Sequence, residues 1–366
     1  MALPEHGVSI VSLVGALIEE ACAERCSDLH IDPVPDGVRV RMRADGILLD
    51  RHVLPLRVHQ EVISRIKILS GLRTDEHNAP QDGRFRYTFA DGRWADIRVP
   101  VMPTYHGENA VLRLLVSAKE EQTLASLGFS AEDRERIERA LSRRGGMILA
   151  TGPTGSGKTT TLYTLIQMLK RPDISLMTVE DPIEYAMEGV RQVQVNHRTG
   201  LTFASGLRSM LRQDPDVIMV GEIRDTETAG IAVNTALTGH LVLTTLHTTN
   251  AATTLPRLLD MKVEPYLAAS TLGLAIGQRL VRRICKACAK EGCEACKGSG
   301  YKGRISINET LIASERIKDA IARRASATEI QGIAIEEGMK TMLEDGMQKV
   351  EHGETSTEEV LRAVHE

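Results

Sequence analysis

The stretch Ala150–Leu162, ATGPTGSGKTTTL, lies between the apolar run MILAT and a segment of helical periodicity, and its reading decides the fold around it. Gly152, Gly157, Lys158 and Thr159 satisfy the phosphate-loop pattern G-x-x-x-x-G-K-[ST]. In such a loop the glycines let backbone N–H groups turn inward around phosphates, and the helix N-terminus adds a favourable dipole. Lys158 reaches the β and γ phosphates, and Thr159 offers its hydroxyl to Mg²⁺. Gly152, Pro153, Thr154, Gly155, Ser156, Gly157, Lys158, Thr159 and Thr160 are therefore the expected nucleotide-binding residues. The competing reading, a glycine-rich turn that binds nothing, is weakened by the strand–loop–helix context.

Outward from this loop the apolar runs MILAT, SLMTVED, DVIMVGE and LVLTTLH alternate with helical segments, as in a parallel α/β sheet. Carboxylates close two of the runs, Glu180 and Asp181 in one and Glu222 in the other. The C-terminal ends of parallel strands are where such a sheet collects its ligand-binding groups. One carboxylate can hold Mg²⁺ or its water shell while another orients an attacking water, and the residue types leave open which does which. Glu180, Glu184 and Glu222 are the candidates. Either of the strand-end glutamates alone reads equally well as a helix cap or a surface charge; beside a phosphate loop that reading falls behind. His240 and His247 bracket LVLTTL seven positions apart, hence on opposite sides of the sheet, and His247 is carried as a catalytic candidate.

Composition narrows the classes of protein. The chain has 366 residues, 42% hydrophobic and 26% charged, with a net charge of −4, enough for two or three cored domains and without the basic stripe of a nucleic-acid binder. No apolar run approaches the roughly 18 to 20 residues of a membrane span, and MALPEHGVSI lacks a signal-peptide profile, so a cytoplasmic location is expected. Before the phosphate loop, helical spacing from Val8 to Cys26 gives way to VRVRMRADGILLD and RFRYTFADGRWADIRV. These are two hairpins turning at Asp45-Gly46 and Asp91-Gly92, with a helix near Val58–Ser70 between them. The expected division is a small α+β domain over 1–116, a linker over 117–130, an ATPase core over 131–284, a cysteine module over 285–304 and a C-terminal region over 305–366, helical from about Ala313.

Six cysteines in a chain of this kind fit a reducing compartment, and four of them form CKACAKEGCEAC. Cys285, Cys288, Cys293 and Cys296 make a C-x2-C-x4-C-x2-C set in which each pair grips one side of a tetrahedral ion, Zn²⁺ above an iron–sulfur centre or an empty cluster. The four-residue connection demands a sharp fold-back in which Gly292 takes part. Cys22 and Cys26, four apart on the first helix, read as packing residues.

Longer blocks are more specific. TVEDPIEY, QVQVN, GLTFASGLRSMLRQDPDVIMVGEIRDTETA and TALTGHLVLTTLHTTNA resemble the secretion ATPase superfamily, specifically the type II secretion and type IV pilus assembly ATPases. SDLHIDP, RIKILSGL, PQDGRFR, DIRVPVMPTYHGE and VLRLL toward the N-terminus, and GQRLVRRIC, SGYKGR and GMKTMLEDGMQKVEHGETSTEEVL toward the C-terminus, extend the likeness over nearly the whole chain. The resemblance implies a PAS-like domain followed by a RecA-like ATPase domain, six subunits in a ring, and ATP, Mg²⁺ and Zn²⁺ as ligands. It implies that the arginines of PQDGR and DIRV, here Arg84 and Arg98, meet the nucleotide, so that their movement couples hydrolysis to domain rotation. Arg208 and Arg212 are weaker candidates for a subunit boundary. The implied partner is an inner-membrane platform protein, giving peripheral membrane association, with no nucleic acid expected. Larger assembly ATPases carry an additional N-terminal docking domain, so this chain reads as a short form or a truncation. The four cysteines point to assembly, with a retraction motor, a RecA-like nucleic-acid motor and a slow regulatory ATP binder as rivals.

Overall fold

Apolar and charged residues alternate through much of the first hundred positions, which makes strands with one face for a core and one for water. The computed structural model describes residues 9–116 and 122–365, and the chain divides into two compact units, Met1–Lys119 and Glu120–Glu366. In the first, β1 (Asp28–Val34), β2 (Gly37–Ala44), β3 (Ile47–Leu54), β4 (Gln81–Thr88), β5 (Trp94–Thr104) and β6 (Gly107–Val116) form a sheet in the order β3-β2-β1-β6-β5-β4. Every pairing in it is antiparallel. Both Asp-Gly hairpins are present, Asp45 and Gly46 taking φ of 48° and 89° between β2 and β3. Helices Ile10–Ala23 and His59–Leu69 supply Leu17, Ile18, Ile63 and Ile66 to a core shared with Ile31, Val40 and Ile97 of the sheet. Cys22 lies on the first helix, but Cys26 falls beyond its end, where the chain turns into β1. Burial pushes both thiols up to about 11, as suits packing residues.

In the second unit, β7 (Gly146–Thr151), β8 (Leu176–Glu180), β9 (Arg191–Gln194), β10 (Val217–Val220), β11 (Leu241–Leu246), β12 (Leu272–Ile284) and β13 (Tyr301–Ile312) form a sheet ordered β13-β12-β7-β11-β10-β8-β9. All neighbours are parallel except β12 and β13. The four apolar runs of the sequence are β7, β8, β10 and β11, and they are adjacent, buried on both faces by helices. Their C-terminal ends share one edge, which brings the phosphate loop, Glu180, Glu222 and His247 to the same side of the sheet.

One expected boundary differs. Residues 117–121 of the expected linker lie outside the described residues, but 122–130 is no linker. Helix Leu124–Leu127 forms there, closed by a capping box between Thr123 and Ser126 and by Gly128 at φ 109°, with Leu124 and Phe129 buried. The first residues of 305–366 belong to β13, whose ISINETLI run is paired along β12 and buried on both faces, and the helices begin close to the expected Ala313. Helices Glu315–Ala322, Ala327–Glu336, Met342–Glu351 and Thr357–His365 follow from there.

Candidate functional site

The phosphate loop joins β7 to helix Lys158–Leu169. Gly152 sits at φ 148°, and a Cβ there would stand 2.4 Å from the Gln278 carbonyl of β12 and 2.6 Å from the Ser156 hydroxyl, so only glycine fits. Ser156 is 3% exposed and its hydroxyl has no hydrogen-bond partner among the described residues. The Lys158 ammonium bends back to donate to the carbonyls of Gly152 at 2.7 Å and Pro153 at 3.0 Å. Burial draws Lys158 down to about 8, the Glu222 carboxylate opposing and Arg279 adding to the shift. An orphaned buried hydroxyl and a buried ammonium resting on loop carbonyls are the groups a bound polyphosphate would satisfy. Thr159 is half-buried in the first helical turn, while Thr154, Gly155 and Thr160 are exposed at the loop's rim.

The strand-end carboxylates are held differently. Glu222 follows β10 and pairs with Arg224 at 2.6 Å and with His247 at 3.1 Å. Glu180, 2% exposed, receives the Tyr163 hydroxyl on one oxygen, and Thr178 at 2.5 Å and Gln192 at 3.2 Å on the other. The Glu184 N–H donates to the same Tyr163 oxygen at 3.3 Å. His240, at the opposite end of β11, meets the Thr235 carbonyl and Thr238 hydroxyl at 3.2 Å each. Arg208 pairs with Glu227 of helix Thr226–Leu237 at 2.6 Å, and Arg212 donates to the Arg208 carbonyl.

Arg84 and Arg98 stand directly opposite each other on β4 and β5 of the first unit. Register places Arg113 of β6 beside Arg98, Asp28 of β1 beside Arg113, and Arg43 of β2 beside Asp28. Asp28 pairs with Arg113 at 3.0 Å and with Arg43 at 3.6 Å. Four arginines and one aspartate thus cross the sheet face in a line, with Asp28 offsetting the charge of Arg113 and Arg43. Sequence reasoning missed Arg113; its trace is the lone arginine in VLRLL. It also missed Tyr163 and the pair Gln278 and Arg279, polar residues inside otherwise apolar segments. Gln278 accepts a hydrogen bond from the buried Thr161 hydroxyl at 2.8 Å, and Arg279 donates to the Thr249 carbonyl at 2.7 Å.

The four clustered cysteines converge, with all sulfurs within 4.8 Å of one another. Cys285 and Cys293 are 3.8 Å apart, Cys288 and Cys296 3.6 Å, and Cys293 and Cys296 3.7 Å. Zn–S bonds of about 2.3 Å in a tetrahedron put sulfurs about 3.8 Å apart, so the set fits zinc. The Cys293 and Gly300 N–H groups donate to the Cys296 sulfur and, against burial, draw its thiol down to about 6. The fold-back uses Gly292 at φ 93°, where a Cβ would strike the Gly298 carbonyl at 2.8 Å.

A parallel sheet with a phosphate loop and carboxylates at its strand ends is a mixed α/β ATPase fold. Its likeness extends to the solved pilus retraction motor PilT with bound ADP, at a TM-score of 0.68 and 28% identity over 97% of each chain. The chain belongs to the family described as type II/IV secretion system protein, whose model matches residues 5–362. Relatives include the type IV pilus assembly ATPase PilB of Thermus thermophilus, 45% identical over 95% of this chain, and type II secretion system protein E of Xanthomonas campestris pv. campestris, 43% identical over 98%. The chain spans 42% of the length of the first and 68% of the second. Among the described residues no helix is long and apolar enough to cross a membrane.

Proposed function

We propose that the chain is a P-loop ATPase that works as a hexameric motor, converting ATP hydrolysis into movements that assemble a type IV pilus or a type II secretion pseudopilus. The observation that carries this reading is the Lys158 ammonium, buried and resting on the carbonyls of its own loop while the Ser156 hydroxyl beside it is unsatisfied. In the proposed cycle Lys158 turns from those carbonyls to the β and γ phosphates of ATP, with backbone N–H groups of the loop closing around them. Mg²⁺ held through Thr159 would offset charge on the same phosphates. Glu222, steadied by Arg224 and His247, faces the metal side, and Glu180 orients the attacking water. Arg84 and Arg98, with Arg113 in line, form a cationic row on the first unit whose charge suits a polyphosphate. Cys285, Cys288, Cys293 and Cys296 hold a structural zinc ion at the turn of the β12–β13 hairpin.

In this reading the first unit is PAS-like and the second RecA-like. The motor is cytoplasmic and joins the inner membrane only through a platform protein. The relatives named for pilus assembly and type II secretion support the assembly direction; the likeness to PilT favours the second reading, a retraction motor. Steady-state hydrolysis is the test. The intact chain turns over ATP with Mg²⁺, Lys158→Ala loses binding and turnover, and Glu222→Gln loses turnover by at least 100-fold while still binding nucleotide. A wild-type chain that binds no ATP, or an Lys158→Ala variant as active as wild type, would sink the reading. Restoring fibre extension or retraction to a strain lacking the chain separates the two directions.

A further inference from the structure

Tyr163 occupies an unusual place for a polar aromatic. It sits on helix Lys158–Leu169, whose first turn carries the phosphate-loop lysine, and is 1% exposed, yet its hydroxyl does not merely satisfy itself on a backbone carbonyl. It donates to one oxygen of Glu180 and accepts the Glu184 N–H at 3.3 Å. The ring meets Tyr185 edge-on, with centroids 4.7 Å apart. On the other Glu180 oxygen sit Thr178 and Gln192, and the Gln192 amide also spans to the Tyr185 carbonyl at 3.2 Å and the Met187 N–H at 2.7 Å. The acidic loop after β8 is therefore tied to the phosphate-loop helix through one phenol.

We infer that Tyr163 is the positioning residue of the acidic loop: its hydroxyl aims the Glu180 carboxylate and fixes the loop through the Glu184 N–H, so that carboxylate and phosphate loop keep one geometry through turnover. A carboxylate has only acceptors and a neutral phenol has one proton to give; with Thr178 and Gln192 both on the other oxygen, the acceptor site left for a water molecule is on the oxygen that Tyr163 holds, and the Tyr163 bond sets its direction. The three donors around Glu180 come from three separate elements, which leaves the side chain no other rotamer without stranding a buried donor. A displacement of about 1 Å at such a group costs on the order of 100-fold in rate without weakening the ground-state complex. This inference rests on the proposed ATPase reading.

The test is Tyr163→Phe, which removes one oxygen and keeps the ring against Tyr185. In the 366-residue chain kcat for ATP should fall about 10- to 100-fold, with KM and the affinity for a fluorescent ADP analogue within about threefold of wild type. Thr178→Val, which removes one of the two donors on the opposite oxygen, should repeat that pattern, so the outcome does not depend on one variant's folding. A Tyr163→Phe chain with kcat within twofold of wild type overturns the inference while leaving the ATPase reading intact. So does a loss in which affinity falls in step with kcat, the signature of a merely structural role. A wild-type chain without ATP turnover overturns both.

Discussion

Lys67→Met should unfold the first unit far more easily than its size suggests. Lys67 is fully buried on helix His59–Leu69, its ammonium 2.5 Å from the Glu108 carboxylate and donating to the Glu76 carbonyl at 2.5 Å. Glu108 is 7% exposed, and His77, at 2.8 Å, is its other ionic partner. Burial works to raise the Glu108 carboxyl, but His77 and Lys67 hold it below its ordinary value, so the carboxylate is charged in the intact unit, and with the lysine lost only His77 is left to offset its burial. Breaking a buried pair by removing one partner costs about 3–5 kcal/mol, because the other charge is stranded; His77 and the slight exposure put this case near 3 kcal/mol. With a urea slope of about 1.5–2 kcal/mol/M, the midpoint should drop by about 1.5–2 M. The single tryptophan of the chain, Trp94, lies on β5 of this unit, under the Arg86 guanidinium at 3.9 Å, and its fluorescence reports the transition. Lys67→Met with Glu108→Gln should recover at least half of the loss, since no stranded charge remains. A midpoint shift below about 0.5 M for the single variant, or a double variant no better than the single, would refute the argument.

Three further outcomes are expected. Glu359 is buried, which would raise its carboxyl, but Arg282 and Arg362 hold it at about 2, below its ordinary 4.5; its stabilising effect is complete above about pH 5 and is lost as pH falls toward 2. The urea midpoint of the second unit, followed by circular dichroism, should therefore fall more between pH 5 and 3 in wild type than in Glu359→Gln, whose curve meets it at low pH. Purified protein should carry one zinc per chain by metal analysis, and Cys288→Ser should lose it; a clean, zinc-free wild type would reject the assignment. Gly346→Ala would place a methyl 2.6 Å from Val360, where helices Met342–Glu351 and Thr357–His365 meet, and should lower stability by about 1–3 kcal/mol in urea melts.

Fold and site were legible in the sequence wherever the signal is local. The phosphate loop, the four buried strands, the two Asp-Gly hairpins and the C-x2-C-x4-C-x2-C set are each written within a few residues, because dihedral preference, hydrophobic period and ligand spacing act over that range. The helix inside the expected linker was written locally too, in the Thr123–Ser126 box, but four residues give too little periodicity to stand out against polar neighbours. β13 was harder, since ISINETLI reads as a strand only once β12 lies along it and helices cover both faces.

What the tertiary structure alone decided is adjacency between distant residues. That Arg84, Arg98 and Arg113 form one line depends on the register of three strands, and a slip of one residue would turn one of them to the other face. That Glu180 is gripped by Tyr163 while Glu222 faces His247 depends on which strands neighbour β10 and on helix Lys158–Leu169, which packs over β7 and β11. Residue types named the chemistry available at this edge of the sheet; strand order and register, which no short stretch encodes, chose the partner of each group.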